Sequence, residues 1–135
     1  MGTLQNFEDM DIWKEARRLF KRVINLTEDG PVCSDFRFKS QIRQAAGSIM
    51  DNIEEGFERD SRLEFINHLS YSKGSTGETR SQLYRGYDMN YWSEEKAISL
   101  IEEYNQLASH IANFIKYLNS TNVNGNKFKG RQPKF

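Results

Sequence analysis

A single cysteine, Cys33, in 135 residues excludes an internal disulfide and fits a reducing compartment. Net charge is lacking as well: 19 basic residues balance 19 acidic ones, so the chain as a whole has no electrostatic bias toward nucleic acid. No hydrophobic run has membrane length. In the last helical stretch, the longest span without Asp, Glu, Lys or Arg is Tyr104 to Ile115, short of the ~20 residues that cross a bilayer. The opening MGTLQNFEDMD is acidic and has no basic segment leading into an apolar one, which argues against a secretory signal. The expectation is a soluble cytoplasmic protein with no membrane partner. Its length suits one domain with a working core.

Strand alternation is missing too, and helical spacing takes its place. In FKSQIRQAAGSIMDNIEEGFER, the apolar and small residues Phe38, Ile42, Ala45, Ile49, Asn52 and Gly56 step by four and three, the seam of a bundled helix. Ala46 and Ile53 widen that seam. Asn52 is the exception within it, an amide whose hydrogen bonds must be met if it is buried. Ile12, Ala16, Leu19, Val23 and Leu26 form a seam for an earlier helix, which Asn6 can cap and whose first turn is acidic. Gly30-Pro31 stops it. Ser61 and Glu64 form a capping-box pattern, so a third helix follows a tight corner, with seam Phe65, Leu69, Ser72, Thr76, Thr79, Leu83 and Gly86. Gly74 and Gly77 lie inside it, and each glycine costs about 1 kcal/mol against alanine. Close approach of another helix over Ala45-Ala46-Gly47 would explain them; a break in the helix is the alternative. Ser93, Glu94 and Glu95 start a fourth helix with seam Ala97, Ile101, Tyr104, Ala108, Ile111, Ile115 and Leu118.

The expected fold is therefore an all-α, antiparallel up-down four-helix bundle over 1–118, with helices at about 7–27, 36–58, 61–89 and 94–118 and a flexible basic tail over 119–135. Additional apolar lines, Trp13 with Phe20 and Leu100 with Leu107 and Phe114, either form a subunit interface or are absorbed by the core.

Charge is unevenly spread. The tail holds Lys127, Lys129, Arg131 and Lys134 and no acid; removing those four leaves 15 basic against 19 acidic residues, a body of net −4. Tail cations interleave with Phe128 and Phe135, a combination suited to phosphate contact and base stacking, or simply a solvated tail. The first helix carries Lys14, Arg17, Arg18, Lys21 and Arg22 opposite its seam, either a solvated face or a phosphate-binding one.

Signals for catalysis are thin. Nothing places His68 or His110 beside Cys33. Glu64 and His68 lie one turn apart, but neither histidine has the Glu-x-x-His spacing of a di-iron bundle. Gly74 to Thr79 lacks the Gly-Lys-Ser/Thr ending of a phosphate loop. Glu54, Glu55 and Glu58 suggest a solvated cluster paired with Arg59 and Arg62. No catalytic residue, metal site or cofactor is expected.

With these motifs in place, SQIRQAAGSIMDNIEEGFER resembles the four-helix-bundle proteins encoded within intervening sequences of bacterial 23S ribosomal RNA genes. That ribosomal-protein-like family includes the accessory variability proteins of diversity-generating retroelements. Gln41, Arg43, Ala45, Ser48, Ile49, Asn52, Ile53, Glu55, Gly56 and Arg59 match its pattern, and FEDMDIWKEA and Lys73-Gly74-Ser75 are also similar. Gln44 replaces a second arginine and Glu54 an alanine, making the central helix less basic. The resemblance implies a homopentameric ring, RNA or DNA as a ligand, a reverse transcriptase as partner in the retroelement members, and no catalytic activity. Gln41, Ser48, Asn52, Glu55 and Gly56 are then structural, while Arg43 and Arg59 join the first helix and the tail as phosphate contacts. A protein-interaction scaffold is the alternative expectation.

Overall fold

The computed structural model describes residues 6–121. Four α-helices follow one another: α1 (Asp11–Leu26), α2 (Phe36–Glu58), α3 (Arg62–Asp88) and α4 (Glu94–Ser120), with no strand among the described residues. Each helix packs antiparallel against the next, and α1 closes the square against α4.

The seams form the core. Phe38, Ile42, Ala45, Ala46, Ile49, Ile53, Gly56 and Phe57 of α2 are buried, as is every residue of the α3 seam. Asn52 sits at the edge of the seam, half-buried. Leu100, Leu107 and Phe114 are buried in the core, and Trp13 and Phe20 pack against it from α1. The bundle thus absorbs the α4 line fully and the α1 line only in part. What stays exposed lies elsewhere, on Phe36 and on the α3 side chains Leu63, Tyr71 and Tyr84.

Helix ends follow their local chemistry, with one correction. Phe7–Asp9 is a short 3-10 turn, so α1 begins at Asp11 and Asn6 makes no side-chain cap. Met10 intervenes in extended conformation with its side chain fully buried, while its carbonyl accepts from the Lys14 amide at 3.0 Å. Burying that thioether requires the chain to leave helical geometry for one residue. Asp35, Ser61 and Ser93 cap the other three helices, accepting from the amides of Phe38, Glu64 and Lys96. Asp35 also accepts from the Tyr91 hydroxyl; that bond, and then the Phe38 amide, hold its carboxyl below the usual carboxylate range. At the end of α3, Asn90 has φ of 62°, and the amides of Tyr91 and Asn90 donate to the carbonyls of Gly86 and Tyr87, a Schellman closure.

The glycines of α3 do not act as expected. The helix runs unbroken through Gly74 and Gly77, yet a Cβ on Gly74 would meet nothing within 4 Å, and one on Gly77 only the Arg80 guanidinium at 3.5 Å. Gly47 faces the Phe20 ring of α1 instead of α3. Close approach occurs at two other glycines. A Cβ on Gly56 would stand 2.8 Å from both His68 Cβ and Phe65 Cδ1, and one on Gly86 would overlap the Trp92 ring.

The acidic end of α2 also departs from expectation. Arg59 pairs with Glu64 at 3.2 Å, and Arg62 donates to the Leu118 carbonyl at 3.0 Å, so neither answers the cluster. Burial and then the neighbouring Glu55 raise the carboxyls of Asp51 and Glu54; Glu58 adds to the repulsion on Glu54.

Two sets of stability measurements follow. In urea unfolding, Gly74→Ala is expected to stabilise by up to about 1 kcal/mol, whereas Gly56→Ala and Gly86→Ala lose about 1–3 kcal/mol through overpacking. Because the Glu54 carboxyl is raised in the folded protein, its ionisation opposes folding at neutral pH. Glu54→Gln is expected to add about 0.2–0.5 kcal/mol at pH 7. That gain should vanish as pH falls below the unfolded carboxylate value of roughly 4.3.

Candidate nucleic-acid interface

The basic line of α1 faces outward beside α4, and the antiparallel register of those helices decides what each cation can do. Glu103 of α4 accepts from Arg18 at 2.7 Å and from Arg22. One carboxylate therefore holds two guanidiniums, leaving a net positive charge locked against the bundle. Beneath them lies Tyr104, fully buried, whose hydroxyl has no hydrogen-bond partner among the described residues. Burial pushes that phenol far above its ordinary value, against the opposing pull of Arg22 and Arg18. Arg17 lies over the Trp13 ring, 5.7 Å from its centroid, and the ring braces an exposed guanidinium. Lys14 and Lys21 are exposed. Glu15, which could have countered them, is bonded to His110 Nδ1 at 2.8 Å.

Lys96 joins this face from α4. It shares a shallow cleft of about 280 Å³ with Arg22. Nothing in the sequence spacing ties Lys96 to α1, because the contact depends on which helix closes the square.

The remaining candidate cations have other partners. Arg43 is half-buried; its Nε donates to the Thr27 hydroxyl at 2.9 Å and its Nη2 to the Ile24 carbonyl at 3.4 Å. It thus closes the C-terminus of α1, where carbonyls lack helical partners and the dipole favours a cation. Arg59 is exposed at the α2–α3 corner in its pair with Glu64. Lys127, Lys129, Arg131 and Lys134 lie outside the described residues.

Residues carrying the sequence motif converge on the crossing of α2 and α3. Asn52 Nδ2 donates to the Ser48 carbonyl at 3.0 Å, and its Oδ1 lies 3.1 Å from His68 Nδ1. The Ser75 hydroxyl donates to that of Ser48 at 3.0 Å, and the Ser72 hydroxyl to the Ile49 carbonyl at 2.8 Å. Glu55 stands 3.8 Å from the same His68 nitrogen. Gly56 lets the helices meet at the corner. Gln41 instead lines a polar cleft on the outer side of this crossing, together with Gln44, Ser48, Glu78, Gln82 and Arg85. Sequence reasoning had no signal for that cleft beyond the shared face that spacing of four and three gives Glu78, Gln82 and Arg85 on α3.

Among the described residues, no group of three or more His, Cys, Asp or Glu could hold a metal ion, and no helix is long and apolar enough to cross a membrane.

No curated protein matches the chain. The fold matches a crystal structure from Bacteroides thetaiotaomicron VPI-5482, described as a protein with unknown function from the S23 ribosomal protein family. The two are 23% identical with a TM-score of 0.70, over 78% of this chain and 98% of that one. At that identity the likeness speaks for the four-helix fold alone. The model of the 23S rRNA-intervening sequence proteins matches residues 8–113, which carry the α2 motif, the first three helices and most of α4; the chain belongs to that family.

Proposed function

We propose that this protein is a non-enzymatic, RNA-binding member of its family that works in the cytoplasm as a cyclic homo-oligomer, the pentamer that the resemblance implies. The observation carrying the reading is the outer face of α1. Lys14, Arg17 and Lys21 stand exposed there, Arg18 and Arg22 are pinned by a single carboxylate, and Lys96 adds a cation from α4. A body of net −4 that gathers cations on one face has a local use for them. Phosphate contact is that use, because cations placed along a backbone gain affinity by releasing its counterions.

A second reading, a scaffold for a protein such as a reverse transcriptase, draws on the exposed Phe36 and on Leu63, Tyr71 and Tyr84 of α3. Aromatic side chains of this kind are enriched where proteins meet. It predicts binding to such a partner that survives nuclease treatment, with no affinity for RNA.

The discriminating measurement is binding to a single-stranded RNA across a salt series. Affinity is expected to fall steeply with salt. Replacing Lys14, Arg17 and Lys21 together by alanine should lower the slope of log affinity against log salt by about 2–3, with thermal stability kept. Binding that ignores salt, or no binding at low salt, overturns the reading. Sedimentation at working concentration tests the ring: a monomer at micromolar concentration removes it.

A further inference from the structure

The polar cleft outside the α2–α3 crossing has a volume of about 560 Å³, within the roughly 300–1,000 Å³ typical of ligand sites. Its α3 wall is a row of three functional groups at i, i+4 and i+7: Glu78, Gln82 and Arg85. Gln82 is the unusual member. It is only 6% exposed, and its Oε1 has no hydrogen-bond partner among the described residues. A buried acceptor without a partner costs about 1–3 kcal/mol, so its retention here calls for a reason. Glu78 is exposed and in no ion pair among the described residues. Arg85 lies 5.6 Å from the centroid of the Phe38 ring, which steadies its guanidinium at the rim.

Along α3 the wall therefore presents a donor at Arg85, an acceptor at Gln82 and an acceptor at Glu78. The complement is an edge offering acceptor, donor, donor in that order. Among the Watson–Crick edges of the common bases only guanine has it: O6 accepts, N1–H donates and the N2 amine donates. Cytosine and adenine present one donor, at the amine, and uracil places its single donor between two acceptors. We propose that this cleft binds a guanine base through its Watson–Crick edge, with O6 on Arg85, N1–H on Gln82 Oε1 and the N2 amine on Glu78. The Gln82 oxygen is shielded now, and turning its carboxamide into the cleft gives up no hydrogen bond. On the opposite wall, Gln41 and Gln44 of α2 bring carboxamides with both donors and acceptors within reach of a ribose. Unstacked bases of single-stranded RNA are recognised through such edges. As an RNA site the assignment rests on the function proposed above; as a guanine site it stands on the cleft alone.

The test uses the full chain and U-rich single-stranded RNA decamers carrying one central G, A, C or inosine, with free GMP and AMP as separate probes. The G decamer is expected to bind at least about tenfold more tightly than the A or C decamers, the discrimination of a good bidentate contact. Inosine, which lacks the N2 amine, should lose part of that preference. Glu78→Ala, an exposed substitution that removes the acceptor, should bring G down to the level of inosine. Gln82→Leu, which removes an unpartnered amide, should abolish the preference while leaving the melting temperature intact. Salt-dependent RNA binding with no preference for G overturns the guanine site and leaves the proposed function standing. GMP bound over AMP with no RNA affinity does the reverse, making the source a free nucleotide. A preference for G that survives both substitutions removes it from this cleft, and no binding of any probe refutes the site.

Discussion

The polar crossing of α2 over α3 is the constraint on which this bundle depends. Most helical seams close with large aliphatic side chains; this one interleaves them with Ser48, Asn52, Ser72 and Ser75, whose polar groups meet across the crossing. Small side chains bring two helix axes close, and proximity lets hydroxyls and an amide reach across. Each cross-helix hydrogen bond contributes about 0.5–1.5 kcal/mol, whereas a buried polar group left unbonded costs more than it would have gained. The seam is therefore intolerant of register error. Slipping α3 by one residue would strand Ser72 from the Ile49 carbonyl and His68 from Asn52 together. Gly56 sets the closest point of the same crossing, where no side chain fits between α2 and the rings of α3.

That geometry gives the family motif a physical meaning. Ser48, Asn52, Glu55 and Gly56 lie along the side of α2 that α3 covers, and each meets a partner or a steric limit there. The motif specifies how two helices cross and says little about a ligand. Arg43 belongs with them, since its guanidinium closes α1. Arg62 does the same for α4 at the Leu118 carbonyl. Two arginines thus serve as C-terminal caps, where orphan carbonyls and the dipole reward a cation. Of the motif, Gln41, Ala45 and Ser48 also line the outer cleft, in company with Gln44.

Electrostatics sort the remaining cations by neighbour. Glu103 restrains Arg18 and Arg22, and an ion pair at the surface adds little stability while fixing where charge is displayed. Lys14, Arg17 and Lys21, on the same helix, keep their charge facing solvent. A face built from one helix therefore holds two populations: guanidiniums pinned by a carboxylate, and cations that face solvent.

Helix identity, seam residues and capping were legible in the chain because each is a local matter. A period of four and three names the buried face of Phe65 through Gly86 without knowledge of its neighbours, and Ser61 caps α3 wherever α3 goes. Met10 escaped that logic, since only the core calls its side chain inward. The same holds for Gly74 and Gly77, whose spacing suggested an approaching helix, while Gly56 and Gly86 receive one. By itself the sequence determined four amphipathic helices, the caps at Ser61 and Ser93, and the family. Tertiary structure decided which cations remain free, which apolar lines vanish into the core and where a polar cleft opens. The first depends on side chains 81 and 85 residues apart meeting across α1 and α4, the last on α2 meeting α3, and no periodicity encodes such meetings.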